Sequence, residues 1–345
     1  MEYQGRYKIF DPAEINTYPI AQRRNKVKLD DLLVPEDILS GQFEVSAELE
    51  SSIEAIAEAV VSSRNDGKPV IIFTGAHLIK NGLGRILIEL VKRDMVTLIA
   101  GNAATAIHDF ELALIGETSE YVPQALAKGQ FGMAFEFCYQ NIALTMGNQR
   151  NLGYGESLGK MICEESFRRE VLAVADGDEA VRNFLHPEVS VLAACYHHHI
   201  PFTVHAGMGT EVIDQHPSFD GQAKGGCSAR DFLIYVNEVT RLTEGGVVLN
   251  IGSAVTGPEV FLKAASMSSN IGKVPDNIIT ADFDMRFSEP AQMKDESAQG
   301  YYFRDMKSVV TRIPQAFNGK GYYIQGNQKQ TVPLLFKKIM NRLNA

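Results

Sequence analysis

The chain contains no tryptophan, and its four cysteines (Cys138, Cys163, Cys195 and Cys227) lie far apart with no CxxC pair. They read as reduced, mostly buried thiols and not as a disulfide framework. No stretch reaches about 18 consecutive apolar residues, so no membrane span is expected. The opening "MEYQGRYKIFDP" has neither a basic start nor an apolar run, which makes a cytoplasmic protein the expectation. Basic charge is also short. Lys and Arg number 33 against 42 Asp and Glu, a net charge of −9. That disfavours a nucleic-acid binder and suits cationic substrates. No Pro- or Ser-rich boundary, no low-complexity tract and no G-x-G-x-x-G motif occurs in the 345 residues.

What is present is a rhythm of apolar runs and helical periods. Residues 1–45 are mixed, carry the basic run "QRRNKVK", and read as an N-terminal arm. Residues 46–345 read as a single α/β domain. An amphipathic helix is expected over 46–68, where Ile53, Ile56, Ala57 and Val60 recur at intervals of three and four. Five strands end in small or acidic residues: "PVIIFTG", "MVTLIAG", "IPFTVHAG", "GGVVLNIGS" and "NIITADFD". Helical segments separate them, and a short strand "YYIQG" with a helix "VPLLFKKIMNRLNA" closes the chain. Strands alternating with helices imply a doubly wound, mostly parallel sheet. The polar segment 285–317 is expected to be a long functional loop.

In such sheets ligands bind beyond the carboxyl ends of the strands. Glycine there either admits a ligand close to the backbone or only turns the chain. "GNAAT" before a helix is a plausible phosphate-binding turn. Asp109 and Glu111 are expected in the first turn of a helix, where they could bind a ribose hydroxyl or only complement the helix dipole. Glu211, after "HAGMGT", suits a cationic substrate or a first-turn cap. His77, His108 and His205 each lie in or near a strand-end loop. The run "HHH" at 197–199 has poor geometry for one metal, and no metal site is expected. Lys320, between two glycines, is either a surface charge or, if desolvated, a nucleophile.

The order of these motifs resembles the deoxyhypusine synthase family over about residues 70–336. "NGLGRILIELVKRDMVTLIAGNAATAIHDFELALIGE", "HHIPFTVHAGMGTE", "GGVVLNIGSAV", "NIITADFD" and "NGKGYYIQGNQKQTVPLL" stand in the sequence that family uses. The resemblance implies a Rossmann-like NAD-binding fold, a homotetramer, and a polyamine or other small amine as substrate. In that family an aminobutyl group passes through an imine on a lysine. Carried over by position, NAD would be lined by Asn81, Asn102, Ala103, Thr105, Asp109, Gly252, Ser253, Thr280 and Ala281. Glu211 falls at the carboxylate that holds a substrate amine, and Lys320 at the imine-forming lysine. The chain also departs from the pattern. Gly257 stands where the family's catalytic histidine belongs, Asn318 replaces the tryptophan before the lysine, and Ala206 replaces an NAD-contacting aspartate. His205 is then the expected base beside Lys320 and Glu211, with His77 and His108 open as alternatives. The expectation is a deoxyhypusine-synthase-like transferase, an NAD-dependent enzyme acting on a small amine or polyamine, with aminoalkyl transfer through an imine on Lys320. The alternatives are a plain NAD-dependent oxidoreductase and a nucleotide-binding protein without turnover.

Overall fold

The computed structural model describes residues 3–175, 177, 180–287, 292 and 295–344. Its strands are β1 (Asn25–Lys28), β2 (Val70–Thr74), β3 (Leu98–Gly101), β4 (Glu117–Glu120), β5 (Phe202–Val204), β6 (Gly246–Ile251), β7 (Ile278–Asp284) and β8 (Lys320–Gln325). Six of them form one sheet in the order β5-β3-β2-β6-β7-β8, and every neighbouring pair is parallel. Counted along the chain, that order is 3-2-1-4-5-6, the doubly wound arrangement of Rossmann-like folds. The direction of winding reverses between β2 and β6.

The strands read as near-continuous apolar runs because both faces are covered. Val70, Ile72, Ile99, Val204, Leu249 and Phe283 pack into one core. Ile71, Phe73, Leu98, Ala100, Val248 and Ile278 point the other way into a second. The helices used below are α1 (Ala47–Asn65), α2 (Gly84–Lys92), α3 (Ala103–Ile115), α4 (Phe137–Gln149), α5 (Tyr154–Cys163), α6 (Glu165–Val174), α7 (Val191–His197), α8 (Gly221–Val239), α9 (Thr256–Asn270) and α10 (Gln328–Leu343). α1 to α7 and α10 share the first core, α9 packs in the second, and α8 contributes Cys227 to the first and Tyr235, Val236 and Val239 to the second. The starts of α1 and α3 are capped: Ser46 Oγ accepts from Leu49 N at 3.2 Å, and Asn102 Oδ1 from Thr105 N at 3.0 Å. Among the described residues no helix is long and apolar enough to cross a membrane.

α8 begins at Gly221 because Asp220 Oδ1 accepts from Gln222 N and Ala223 N at 2.9 and 3.1 Å. Two expectations shift in the structure. The stretch 285–317 is not all loop: a π-helical run Met306–Arg312 leads into a helical turn Ile313–Ala316. Part of the rest, 288–291 with 293 and 294, lies outside the described residues. The expected arm is stitched to the body. β1 pairs antiparallel with β4, Ile20 N donates to Glu136 Oε2 at 2.8 Å, and Arg23 ion-pairs with Glu111 at 2.7 Å.

Candidate functional site

At the reversal the two central strand ends meet closely. Gly75 N donates to Ile251 O at 2.9 Å, and a Cβ on Gly75 would fall 2.2 Å from Gly252 O. Only glycine fits that approach. Beside it, over the carboxyl ends of β3 and β5, lies an open crevice of about 870 Å³. Asn102 and Ala104 from the start of α3 line it, with Thr256 from the start of α9 and His205, Gly207 and Glu211 from the loop after β5. Two helix N-termini therefore open onto one crevice. Asn102 caps Thr105 N, but the first N–H groups of α3 have no intrahelical acceptor, the arrangement that receives a phosphate.

A second cavity, of about 490 Å³, adjoins the crevice and shares Ala104, Thr210 and Glu211 with it. Its other walls carry Arg23, Lys80, His108, Glu111, Glu120 and Asp214. A chain of contacts orients His108. The buried Arg23 holds Glu111 at 2.7 Å. Burial alone would raise the Glu111 carboxyl, but the charge of Arg23 overrides it, with His108 close by, and holds it down at about 2. An ionised carboxylate only accepts, so the Thr118 hydroxyl donates its single proton to Glu111 Oε2. Thr118 Oγ1 must then accept from His108 Nδ1, 2.7 Å away. The network thus assigns the proton to Nδ1 and leaves Nε2 as a free lone pair on a ring that lines the cavity. Glu211 is half-buried, and its carboxyl is raised by burial against the opposing charge of Lys224.

The expected site residues divide into those at this edge and those elsewhere. Asn102 and Glu211 line the crevice, and Asn81 follows the short helix Ala76–Lys80 after β2, its Nδ2 3.3 Å from Gln328 Oε1. Gly252 has φ +67, and a Cβ there would strike Gln328. Ser253 Oγ accepts from Gly257 N at 2.9 Å and so anchors the start of α9. Thr105 is buried and ties Thr74 O to Asn102, and Ala103 is buried beneath Ala104, which takes its place at the cavity wall. Asp109 corrects the ribose expectation: it is fully buried and accepts from Ser190 Oγ, Val191 N and Leu192 N, capping α7. Thr280 and Ala281 are likewise buried in the sheet, Thr280 Oγ1 donating to Val309 O. His205 lines the crevice, but its ring sits among Phe73, Phe232 and Tyr235, and burial pushes its pKa down to about 3.

Lys320 departs furthest from expectation. It is the first residue of β8, paired in register with Ile279, and its side chain is exposed over the ring of Tyr322. The amino end of a parallel strand is the opposite edge from the crevice: five residues at roughly 3.3 Å each put Lys320 about 16 Å along β8 from the carboxyl edge, and β8 lies at the other side of the sheet from β3 and β5. Within one chain Lys320 does not meet the other expected catalytic groups.

Two features escaped the sequence reading. One is the Arg23–Glu111–Thr118–His108 chain, whose members come from the arm, α3 and β4. The other is a buried carboxylate cluster at the end of β7. Ligand-type oxygens of Asp282, Asp284 and Asp305 lie within 4.8 Å of one another, a spacing a cation could use. Arg286 already stands there, bonded to both Asp284 and Asp305. Burial and then the Asp305 charge push the Asp282 carboxyl well above its usual range, and burial raises Asp305 to about 6.

No protein-family model matches the chain, and no curated protein sequence matches it. Solved structures with a similar course do exist. A ternary complex of AgrE with ornithine and NAD+ superposes with a TM-score of 0.46 at 13% identity, over 88% of this chain and 35% of the other. A LOR/SDH protein assignment from Methanococcus maripaludis S2 gives 0.48 at 16% identity, over 88% and 74%. A deoxyhypusine synthase assignment from Entamoeba histolytica gives 0.40 at 10% identity, over 95% and 97%. The chain spans about a third of the length of the arginine dihydrolase and AgrE chains it resembles.

Proposed function

We propose that the chain is an NAD-dependent oxidoreductase acting on a small amine. The observation that carries this is the adjoining pair of cavities at the carboxyl edge: an open crevice with two helix N-termini, and beside it a charged cavity into which an oriented histidine opens. NAD would lie in the crevice with its pyrophosphate on the first turn of α3, and it supplies the hydride acceptor. The amine occupies the second cavity, held by Glu211. For oxidation at the carbon that bears the nitrogen, which would yield an imine, His108 Nε2 would take the proton from that nitrogen. Glu111, held ionised by Arg23, stabilises the histidine once it is charged. Lys320 has no part in this scheme. An aminoalkyl transfer through that lysine would need a second copy of the chain to deliver it, as in the expected homotetramer. Light scattering tests the tetramer.

Calorimetry with NAD on the wild type and on Ala104→Arg tests the placement. Ala104 borders both cavities, so an arginine there should abolish NAD binding while the protein stays folded by circular dichroism. Equal affinity in the two proteins would put NAD elsewhere.

A further inference from the structure

We infer that the cavity beside the crevice recognises an amino carboxylic acid, with Glu211 pairing its ammonium and Lys80 its carboxylate. This inference rests on the function proposed above and narrows its substrate class.

The charges around the cavity lead to it once those already satisfied are set aside. Arg23 and Glu111 pair with each other. Asp214 pairs with the buried Lys224 of α8. Glu120 accepts from Tyr18 Oη at 3.0 Å and from Gly132 N at 3.1 Å. Two charges remain. Among the described residues neither Lys80 nor Glu211 makes an ion pair, and both line the cavity, Lys80 from the end of its short helix and Glu211 from the shared border with the crevice. Arg23 adds a donor, Nη2, that is buried and has no partner. What remains to be matched is therefore one carboxylate, Glu211, and two donors, the Lys80 ammonium and Arg23 Nη2, while Glu120 keeps its charge on neutral donors.

A plain diamine can satisfy only half of this. Its ammonium would pair with Glu211, but it would leave Lys80 half-buried and unpaired, bring like charge towards Lys80, and offer no acceptor to Arg23 Nη2. Discrimination by an unpaired like charge is as effective as added attraction. A zwitterion pairs both signs and enters the cavity without net charge. The cavity, about 490 Å³, falls in the range of small-ligand pockets, roughly 300–1,000 Å³. The sequence pointed to a cationic substrate through net charge and Glu211. Lys80 escaped notice because nothing in its local sequence distinguishes it from a surface lysine.

Matched pairs test the inference: L-lysine against 1,5-diaminopentane, L-ornithine against 1,4-diaminobutane, and L-alanine against ethylamine, titrated by calorimetry into NAD-saturated protein. At least one amino acid should bind about 10- to 100-fold more tightly than its decarboxylated counterpart, the worth of one hydrogen-bonded charge. Lys80→Met should erase that preference without weakening the amine, Lys80→Arg should keep it, and Glu211→Gln should weaken both members of a pair. Tighter binding by the diamines, no preference, an unchanged preference in Lys80→Met, or no binding by either class would overturn the inference. Because NAD is titrated separately, normal NAD binding with any of these results sinks the amino-acid inference alone. Loss of NAD binding in the wild type sinks the oxidoreductase.

Discussion

The Arg23–Glu111–Thr118–His108 chain and the Asp282–Asp284–Asp305 cluster both bury carboxylates, on opposite plans. In the first, one arginine meets one glutamate, and burial of both side chains makes each depend on the other. The acid is held at about 2, and the protons on Thr118 Oγ1 and His108 Nδ1 each have one assigned place. In the second, one arginine faces three aspartates and bonds only two of them, and two oxygens, Asp282 Oδ2 and Asp305 Oδ1, are buried without partners. Such a cluster relieves its charge by holding protons. Balance fixes a histidine for work, whereas excess stores protons. The cavity belongs to the balanced network.

The largest effect should come from breaking that balance. Arg23→Met leaves Glu111 buried and unpaired, at a cost of about 3–5 kcal/mol in unfolding free energy measured with urea. Adding Glu111→Gln to it should cost less than the two single changes summed, because both remove one interaction. Thr118→Val keeps the ion pair but strips partners from His108 Nδ1 and Glu111 Oε2. About 1–3 kcal/mol should be lost, with activity falling further than in a distant valine substitution.

The cluster at β7 should answer with pH. Asp305 sits near 6 in the folded chain and close to 4 when unfolded. Its contribution to stability is full below about pH 4 and is lost as pH rises through 6. Glu111 runs the other way: its contribution is present above about pH 4.5 and is lost as pH falls towards 2. Urea unfolding from pH 4 to 7 should therefore show a smaller fall in stability for Asp305→Asn than for the wild type. Glu111→Gln should change the profile only on the acid side. Matching profiles for the two variants would erase the distinction between the clusters. The smallest effect belongs to Lys320→Arg, an exposed position at the far edge of the sheet, where stability should stay within about 0.5 kcal/mol of wild type.

Much of the sheet was legible because a strand buried on both faces must be apolar along its length, as Val70–Thr74 and Gly246–Ile251 are. The helices between 122 and 175 were not. Gly147, Gly155 and Gly159 weaken any local helical signal, and they are there for contact. A Cβ on Gly155 would lie 1.8 Å from Phe202 O, and one on Gly159 would lie 2.9 Å from Tyr196 Cβ. The site was legible in part for a similar reason. Strand ends such as Asn102 and Glu211 announce themselves by position. Arg23 and Thr118 join His108 only through the pairing of β1 with β4, a contact across 92 residues or so that no local pattern encodes. Lys320 misled because "NGKG" suggests a loop, whereas the chain enters β8 at that lysine, on the wrong edge for a site at the carboxyl ends.

The most direct test is NADH formation followed at 340 nm with NAD and the amine and amino-acid panel, run side by side on the wild type, His108→Gln and Lys320→Arg. The predicted result is turnover in the wild type and in Lys320→Arg, with His108→Gln slowed about 10²- to 10⁴-fold and NAD affinity unchanged. Turnover that survives in His108→Gln and disappears in Lys320→Arg would contradict it.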